Sequence, residues 1–341
     1  MIIALGVETS CDDTSCAVVR EDGEALSNVV SSQTALHAKY GGVVPEIASR
    51  AHTERIMPVL DQALDEAGVA LEDVDFICAT KGPGLIGSLL VGLETAKGLA
   101  YAARKPLIPV NHIAGHLHSI FVGEDRAQME RFYPYLGLIV SGGHSSLVRC
   151  DAPGSYRELG VTLDDASGEV FDKVAQMLEL GHPGGPIIDR LARDGDPHAF
   201  KFPRPVLTKA GYNFSFSGLK TAVRLCIEER GLDTILASKQ MLADICASFQ
   251  MAVVDVLLTK AERALKRERL ERLAIVGGVA CNGCLRQAAR ERLNGSDIRI
   301  PKPLLCTDNA AMVAAIGLAR RKQDVAQDWA VNADSNLRLG K

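Results

Sequence analysis

Apolar and polar positions along the chain follow two periods, and the switches between them mark its elements. Residues 2–7 (IIALGV) and 16–19 (CAVV) are short apolar runs flanking the polar ETSCDDTS, a pattern that predicts a hairpin presenting a polar turn. From His52 to Ala67 the apolar residues Ile56, Val59, Leu60, Ala63, Leu64 and Ala67 form one helical stripe, and Gly68 follows as a stop. Residues 76–80 read as a buried strand, KGPGLIGS leads into a helix ending near Ala103, and LIPV (107–110) is the next strand, which completes a βαβ unit. A second helix begins near Asn111. After the charged EDRAQME, the strands YLGLIV and SSLVRC surround the turn SGGH and repeat the organisation of the N-terminus. Helical patterns follow at 165–180, 218–230 and 236–267. The strand RLAIV, the loop GGVACN, a helix to Leu293, the strand IRI and a last helix over 308–321 complete the order, and the polar tail from Lys322 is expected to fray. The order is α/β throughout, and two polar turns on the leading strands of successive halves suggest duplicated lobes.

Composition narrows the class. At 341 residues the chain has room for two domains or lobes, and 47% hydrophobic with 23% charged residues excludes disorder for the bulk. A net charge of −4 supplies no overall positive field for a polyanion, so any nucleic-acid contact must be local. Nine cysteines, an odd number scattered from 11 to 306, do not resemble a disulfide framework and predict a reducing compartment. The start MIIALGVETSCDD lacks a basic region and a long apolar stretch, so no secretory signal is expected. Glu94 and Lys97 interrupt LLVGLETAKGLAYAA, the most apolar stretch, and no run approaches the ~18 residues of a membrane helix. A cytoplasmic protein is expected.

Several clusters carry candidate chemistry. Gly82, Gly84 and Gly87 satisfy G-x-G-x-x-G between a strand and a helix, but no acidic residue stands at the end of the next strand and no P-loop lysine follows, so a dinucleotide or P-loop site is not supported. A tight turn with close backbone approach, or helix N–H groups opening toward an anion, remain the two readings. His112 and His116 at i and i+4 project from one helix face, a spacing that suits a divalent metal, and Asp308 before the Ala-rich last helix is a candidate third ligand. The residue after His112 is Ile113, not the glutamate of a zinc peptidase, so peptidase chemistry is unsupported. Cys281 and Cys284 form a lone C-x-x-C and read as small helix-start residues. Gly277 and Gly278 leave bare backbone after a buried strand, and Ser141, Gly142 and Gly143 offer consecutive amides at a turn, a nest suited to phosphate. A basic rim of Lys201, Arg204, Lys209, Lys220 and Arg224 around Tyr212, Phe214 and Phe216 could meet RNA, but the better reading of the aromatics is that they are partly core.

Taken in order, ETSCDDTS, GPGLIGSLLVG, NHIAGHLHS, VSGGHSSL, GEVFDKVAQMLEL, HPGGPIID, FSFSGLKTAV, GGVACN and TDNAAM closely resemble the tRNA N6-adenosine threonylcarbamoyltransferase family, TsaD in bacteria, over about residues 3–315. The resemblance implies a two-lobed actin, Hsp70 and sugar-kinase fold with an adenine nucleotide in the interlobe cleft. The lobes would comprise 1–134 plus 305–341, with the metal ligands, and 135–304, with the nucleotide loops. It carries iron ligation onto His112, His116 and Asp308, with zinc as an alternative metal. Substrate contacts carry over onto Ile139, Val140, Ser141, Gly142, Gly143, Asp172, Gly185, Asp189 and Asn282, joined by Gly277 and Gly278 from the residue reading. Glu8, Ser10 and Asp12 lie on the turn expected to face the chemistry, and one of them could take the proton of the attacking amine. The implied reaction moves threonylcarbamoyl from threonylcarbamoyl-adenylate to N6 of adenosine 37 in tRNAs reading ANN codons. The implied partners are a TsaB-like paralogue and a TsaE-like ATPase. A small-molecule kinase of the same fold and a non-catalytic nucleotide-switched scaffold are the alternatives, and neither needs a transition-metal site.

Overall fold

The computed structural model describes residues 1–204, 211–326 and 329–340. Contacts divide the chain into a first unit of 1–133, 150–156 and 304–341 and a second of 134–149 and 157–303.

The first unit is built on a five-stranded sheet. Strands β1 (Ile3–Glu8) and β2 (Asp13–Arg20) form the antiparallel hairpin that the alternation predicts, with Glu8 opposite Ser15 across the polar turn. A third strand, β3 (Ala25–Ser32), which the pattern does not signal, pairs antiparallel with β2 at the sheet edge. Helix α1 (Pro45–Ala67) starts about two turns earlier than the stripe read from His52, with Pro45 in the first helical position, and Gly68 ends it in the left-handed region. Strand β4 (Phe76–Gly82), helix α2 (Ile86–Ala103) and strand β5 (Leu107–Asn111) complete the βαβ unit in the order β3-β2-β1-β4-β5, with β1, β4 and β5 parallel. Helix α3 (His112–His118) follows at once, with Asn111 accepting from the Ile113 and Ala114 amides as its cap. Alternate residues feed two cores. Ile3, Leu5 and Val7 pack with Val59, Leu60 and Leu93 of α1 and α2, whereas Ala4, Ala17 and Cys78 pack beneath the Ala-rich helix Ala310–Arg320.

The tail corrects the expectation of fraying. Val331 and Ala333 pack against the α1–α2 core, the Ala326 amide donates to Leu107 O and the Asp334 amide to Lys81 O. The chain thereby covers the outer side of β5, an edge that otherwise presents open backbone.

The second unit repeats the theme with strands β6 (Tyr135–Val140), β7 (Ser145–Ala152), β8 (Ser155–Val161), β9 (Arg272–Val276) and β10 (Asp297–Arg299), ordered β10-β9-β6-β7-β8. Helices α4 (Ser167–Met177), α5 (Gly184–Leu191), α6 (Ser217–Arg230), α7 (Lys239–Glu268) and α8 (Gly283–Arg292) surround it. By length and composition α7 could cross a membrane, but 72% of its apolar window is buried within the protein, the behaviour of a core helix.

Candidate functional site

The metal candidates converge. Ligand atoms of His112, His116 and Asp308 all lie within 4.8 Å of one another, the one such cluster among the described residues. Helix α3 sets the two rings side by side, 4.6 Å between centroids, and the chain before Ala310 brings in Asp308, whose Oδ1 lies 3.1 Å from His116 Nε2 and 3.6 Å from His112 Nε2. Both Nε2 atoms thus face one carboxylate. The third histidine of the segment, His118, is not part of the cluster: it packs on Phe121, is buried and is pushed down to about 3 by that burial.

Behind His112 stands Glu8, fully buried at the end of β1. One Glu8 oxygen accepts from the Thr80 hydroxyl at 2.6 Å and meets His112 Nδ1 at 3.1 Å, while the other accepts from the Ser10 amide at 2.5 Å. Burial opposes the Glu8 charge, but the charge and hydrogen bond of His112 prevail and hold its carboxyl below the ordinary range. Burial likewise opposes a charged His112, and Glu8 and Asp308 overcome it and raise the ring to about 9. Asp13, on the same turn, is raised to about 7 by burial, a Ser32 hydrogen bond opposing, with Asp308, Asp12 and Glu8 adding to the rise. The pocket is therefore one where positive charge is favoured. Two imidazoles, a carboxylate and a carboxylate behind the first histidine fit a divalent cation with open coordination positions. Ser10 Oγ lies 3.0 Å from His112 Nδ1, and Asp12 is half-buried on the same turn.

Thr80 carries no sequence signal, since a threonine inside a buried strand reads as packing. The glycine-rich segment after it resolves in favour of close approach. Gly84 lies against Ser10, where a Cβ would strike the Ser10 backbone, and the Leu85 amide donates to Ser10 O at 2.8 Å. That amide supports the β1–β2 turn and is not open to a ligand.

In the second unit, Ile139 and Val140 are buried at the end of β6, and Gly142 and Gly143 are exposed with open space around them. Ser141 closes the turn by donating its amide to His144 O and accepting from the Gly168 amide. Gly277, at φ 95°, passes so close to Val140 O that a Cβ would lie 2.5 Å from it, so β9 and the β6 turn adjoin, with Gly278 beside them. The acidic side chains expected to contact substrate are engaged locally. Asp172 accepts from the Gly184 amide at 2.7 Å and is raised by burial, while Asp189 accepts from the Gly283 amide at 3.1 Å. Asn282 caps α8 through Leu285 and donates to Gln250 at 2.6 Å, so the buried Gln250 of α7 is a further residue holding this loop that no motif signals. Gly185, at the start of α5, faces open space.

The basic rim is altered. Phe214 and Phe216 are fully buried and stack on each other at 6.3 Å, so they are core and not a base-stacking platform. Lys220 is bound to Asp165, and Lys209 lies outside the described residues. Cys281 is exposed and Cys284 half-buried, and no metal cluster includes them among the described residues.

Two lobes of mixed sheet with a metal-fit site define the class. The chain superposes with a TM-score of 0.62 on HypF of T. kodakarensis, at 16% identity over 94% of this chain and 48% of that one. It superposes at 0.54 on the (R)-2-hydroxyglutaryl-CoA dehydratase component A of Acidaminococcus fermentans, at 14% identity over 95% of this chain and all of the other. These likenesses show the actin-like ATPase fold of the Hsp70 and sugar-kinase type, and the fold alone. Within that class the family TsaD, "tRNA N6-adenosine threonylcarbamoyltransferase", matches residues 24–315. Proteins of that description from Trichlorobacter lovleyi (52% identity, 99% of this chain and 97% of that protein) and Thermodesulfovibrio yellowstonii (50%, 99% and 100%) are similar over essentially their whole length. The chain belongs to the tRNA N6-adenosine threonylcarbamoyltransferase family, transferases acting on tRNA, and neither the kinase nor the scaffold reading is favoured.

Proposed function

We propose that the chain transfers the threonylcarbamoyl group of threonylcarbamoyl-adenylate to N6 of adenosine 37 in tRNAs reading ANN codons and releases AMP. The convergence of His112, His116 and Asp308 in front of Glu8 carries the reading. These three side chains would hold one divalent ion, iron(II) on the two-histidine, one-carboxylate donor set, with zinc(II) as the alternative that metal analysis separates. Such an ion, when bound, supplies Lewis acidity and a template for an oxygen of the donor. Glu8 keeps His112 oriented through its Nδ1 and, with both oxygens engaged, is not available as a base. The amine attacks the carbamoyl carbon, the bond from that carbon to the phosphate oxygen breaks, and the N6 proton passes to the turn, where Asp12 is the candidate acceptor.

The nucleotide half of the donor falls to the second unit. Its glycine turns at 142–143 and 277–278, with Gly185, bring bare backbone to a flat base and a phosphate, and the amides of Gly142 and Gly143 stabilise negative charge, the Ser141 amide being held by His144 O. Asp172 and Asp189 are the candidate acceptors for ribose hydroxyls, Asp189 Oδ2 also facing the Arg193 guanidinium at 3.6 Å. A net charge of −4 supports assigning part of the tRNA surface to partner chains, a TsaB-like paralogue and a TsaE-like ATPase, in the cytoplasm.

The test is direct. Metal-loaded protein, with and without those partners, is incubated with adenylate labelled in threonine and with unmodified tRNA. Label must enter tRNA with one AMP released per transfer. Label remaining in free threonine, or transfer of a γ-phosphate from ATP to a small molecule, would defeat the reading.

A further inference from the structure

The turn between β1 and β2 carries the groups nearest His112, and its backbone carbonyls are each held by a different element. Ser10 O accepts from the Leu85 amide and Asp12 O from the Gln33 amide at 3.2 Å. Cys11 O, between them, accepts from a side chain: His52 Nε2, on α1, at 3.0 Å. Since a carbonyl only accepts, Nε2 must carry the proton. Burial holds the His52 ring below its ordinary pKa despite the Cys11 carbonyl and the nearby carboxylates, so the ring is neutral and Nδ1 is bare.

The surroundings agree with that tautomer bond by bond. Nδ1 accepts from the Thr14 hydroxyl at 2.7 Å and faces the Gln33 amide nitrogen at 3.4 Å. That nitrogen also donates to Ala48 O, so Gln33 Oε1 is the acceptor end, and it receives from His37 Nε2 at 3.2 Å. His37 Nδ1 in turn accepts from the amide of Val44, the residue that begins α1. Every donor in this buried chain points the same way, from Val44 through His37, Gln33 and His52 to Cys11 O. Reversing one member would set donor against donor or acceptor against acceptor in a dry interior.

We propose that His52 is a positioning residue for the transfer reaction: its Nε2–H fixes the Cys11 carbonyl and so the backbone that places Ser10 and Asp12. It touches no proposed ligand of the metal, and no sequence motif singles it out. The proposal rests on the transfer reading, and its test therefore includes measurements that need no turnover.

His52→Gln retains a donor near the position of Nε2, and His52→Leu fills similar space without one. H52L is expected to lower kcat by about 10- to 100-fold, the range found when a buried orienting hydrogen bond is lost, with KM for tRNA nearly unchanged and the bound metal retained. H52Q should recover most of that loss. Amides of residues 10–13 should exchange with solvent about 10-fold faster in H52L than in H52Q. Nitrogen-15 spectra of the wild type should show His52 protonated at Nε2. Should H52L not fold, Thr14→Val removes only the hydroxyl that pins the tautomer and should lower kcat a few-fold with faster exchange at the turn. An Nδ1–H ring overturns the proposal, as does equal activity and equal exchange in wild type, H52L and T14V. An inactive wild type defeats the transfer reading instead, and the tautomer and the exchange rates then decide the role of His52 alone.

Discussion

The two units solve the problem of presenting polarity in opposite ways. In the first, the candidate reactive surface is made of mostly buried side chains that bond to one another: Glu8 with Thr80 and His112, His116 with Asp308, His52 with Thr14. In the second, the candidate nucleotide surface is made of backbone, and its acidic and amide side chains hold helix starts in place. A site built from side chains fails by loss of a functional group, whereas one built from backbone fails when a Cβ intrudes. The comparison predicts different penalties for substitution in the two places.

The largest effect is expected from His112→Ala or His116→Ala. Each removes an imidazole from the three-residue cluster and should reduce transfer on the order of 10²-fold or more, with loss of bound metal. AMP binding should persist. Metal analysis and calorimetry on the same sample check both, and a metal-free double variant with near-full activity would refute the division of labour. Next comes Gly277→Ala. At φ 95° and against Val140 O it should destabilise the protein by roughly 2 to 4 kcal/mol in urea unfolding, whereas Gly143→Ala, in open space, should leave stability intact and weaken adenylate binding. If the two alanines proved equal in stability, the backbone account of the second unit would be wrong.

A smaller effect tests the lysines of the former basic rim. Burial raises Asp165, but hydrogen bonds from Lys173 and Lys220 outweigh it and hold the carboxyl below its ordinary range. A carboxyl depressed in the folded state adds stability above its unfolded pKa, near 3.9, and that stability is lost as pH falls through the lower folded value. Lys220→Met should therefore cost about 0.5 to 1 kcal/mol at pH 7, less toward pH 3, as unfolding at the two pH values will show. Smallest is Cys284→Ser. Burial pushes this thiol up to about 11, so it is a poor ligand at neutral pH, and the change should alter neither metal content nor stability beyond about 0.5 kcal/mol.

What the sequence made legible follows from how each part is built. The hairpin, the βαβ unit and the paired histidines rest on short periods, which local pattern records. Strands β3 (ALSNVVSS) and β8 (SYRELGV) escaped it because edge strands are half-exposed and carry polar residues on both sides. Asp308 is legible as a candidate third ligand but not by spacing, since 192 residues separate it from His116 and a helix-start carboxylate is its other reading. Thr80 and Gln250 lie inside apolar stretches and His52 between polar neighbours (SRAHTER), and in neither setting do bonds to distant partners leave a periodic trace. Phe214 and Phe216 follow the core reading, which their apolar rings favour over a base-stacking one despite the basic neighbourhood.

The first unit is discontinuous, and its last pieces are the helix Ala310–Arg320 and the tail whose Asp334 amide meets Lys81 and whose Ser335 carbonyl receives the Gly84 amide. During synthesis the sheet from 3 to 111 therefore emerges with one face and one edge bare, while residues 134–303 already hold all that the second unit needs to fold. The first unit can close only once residues 304–340 have left the ribosome. Carboxyl-terminal truncation should for that reason act as a folding lesion of the amino-terminal sheet, visible as nascent-chain aggregation before any activity is measured.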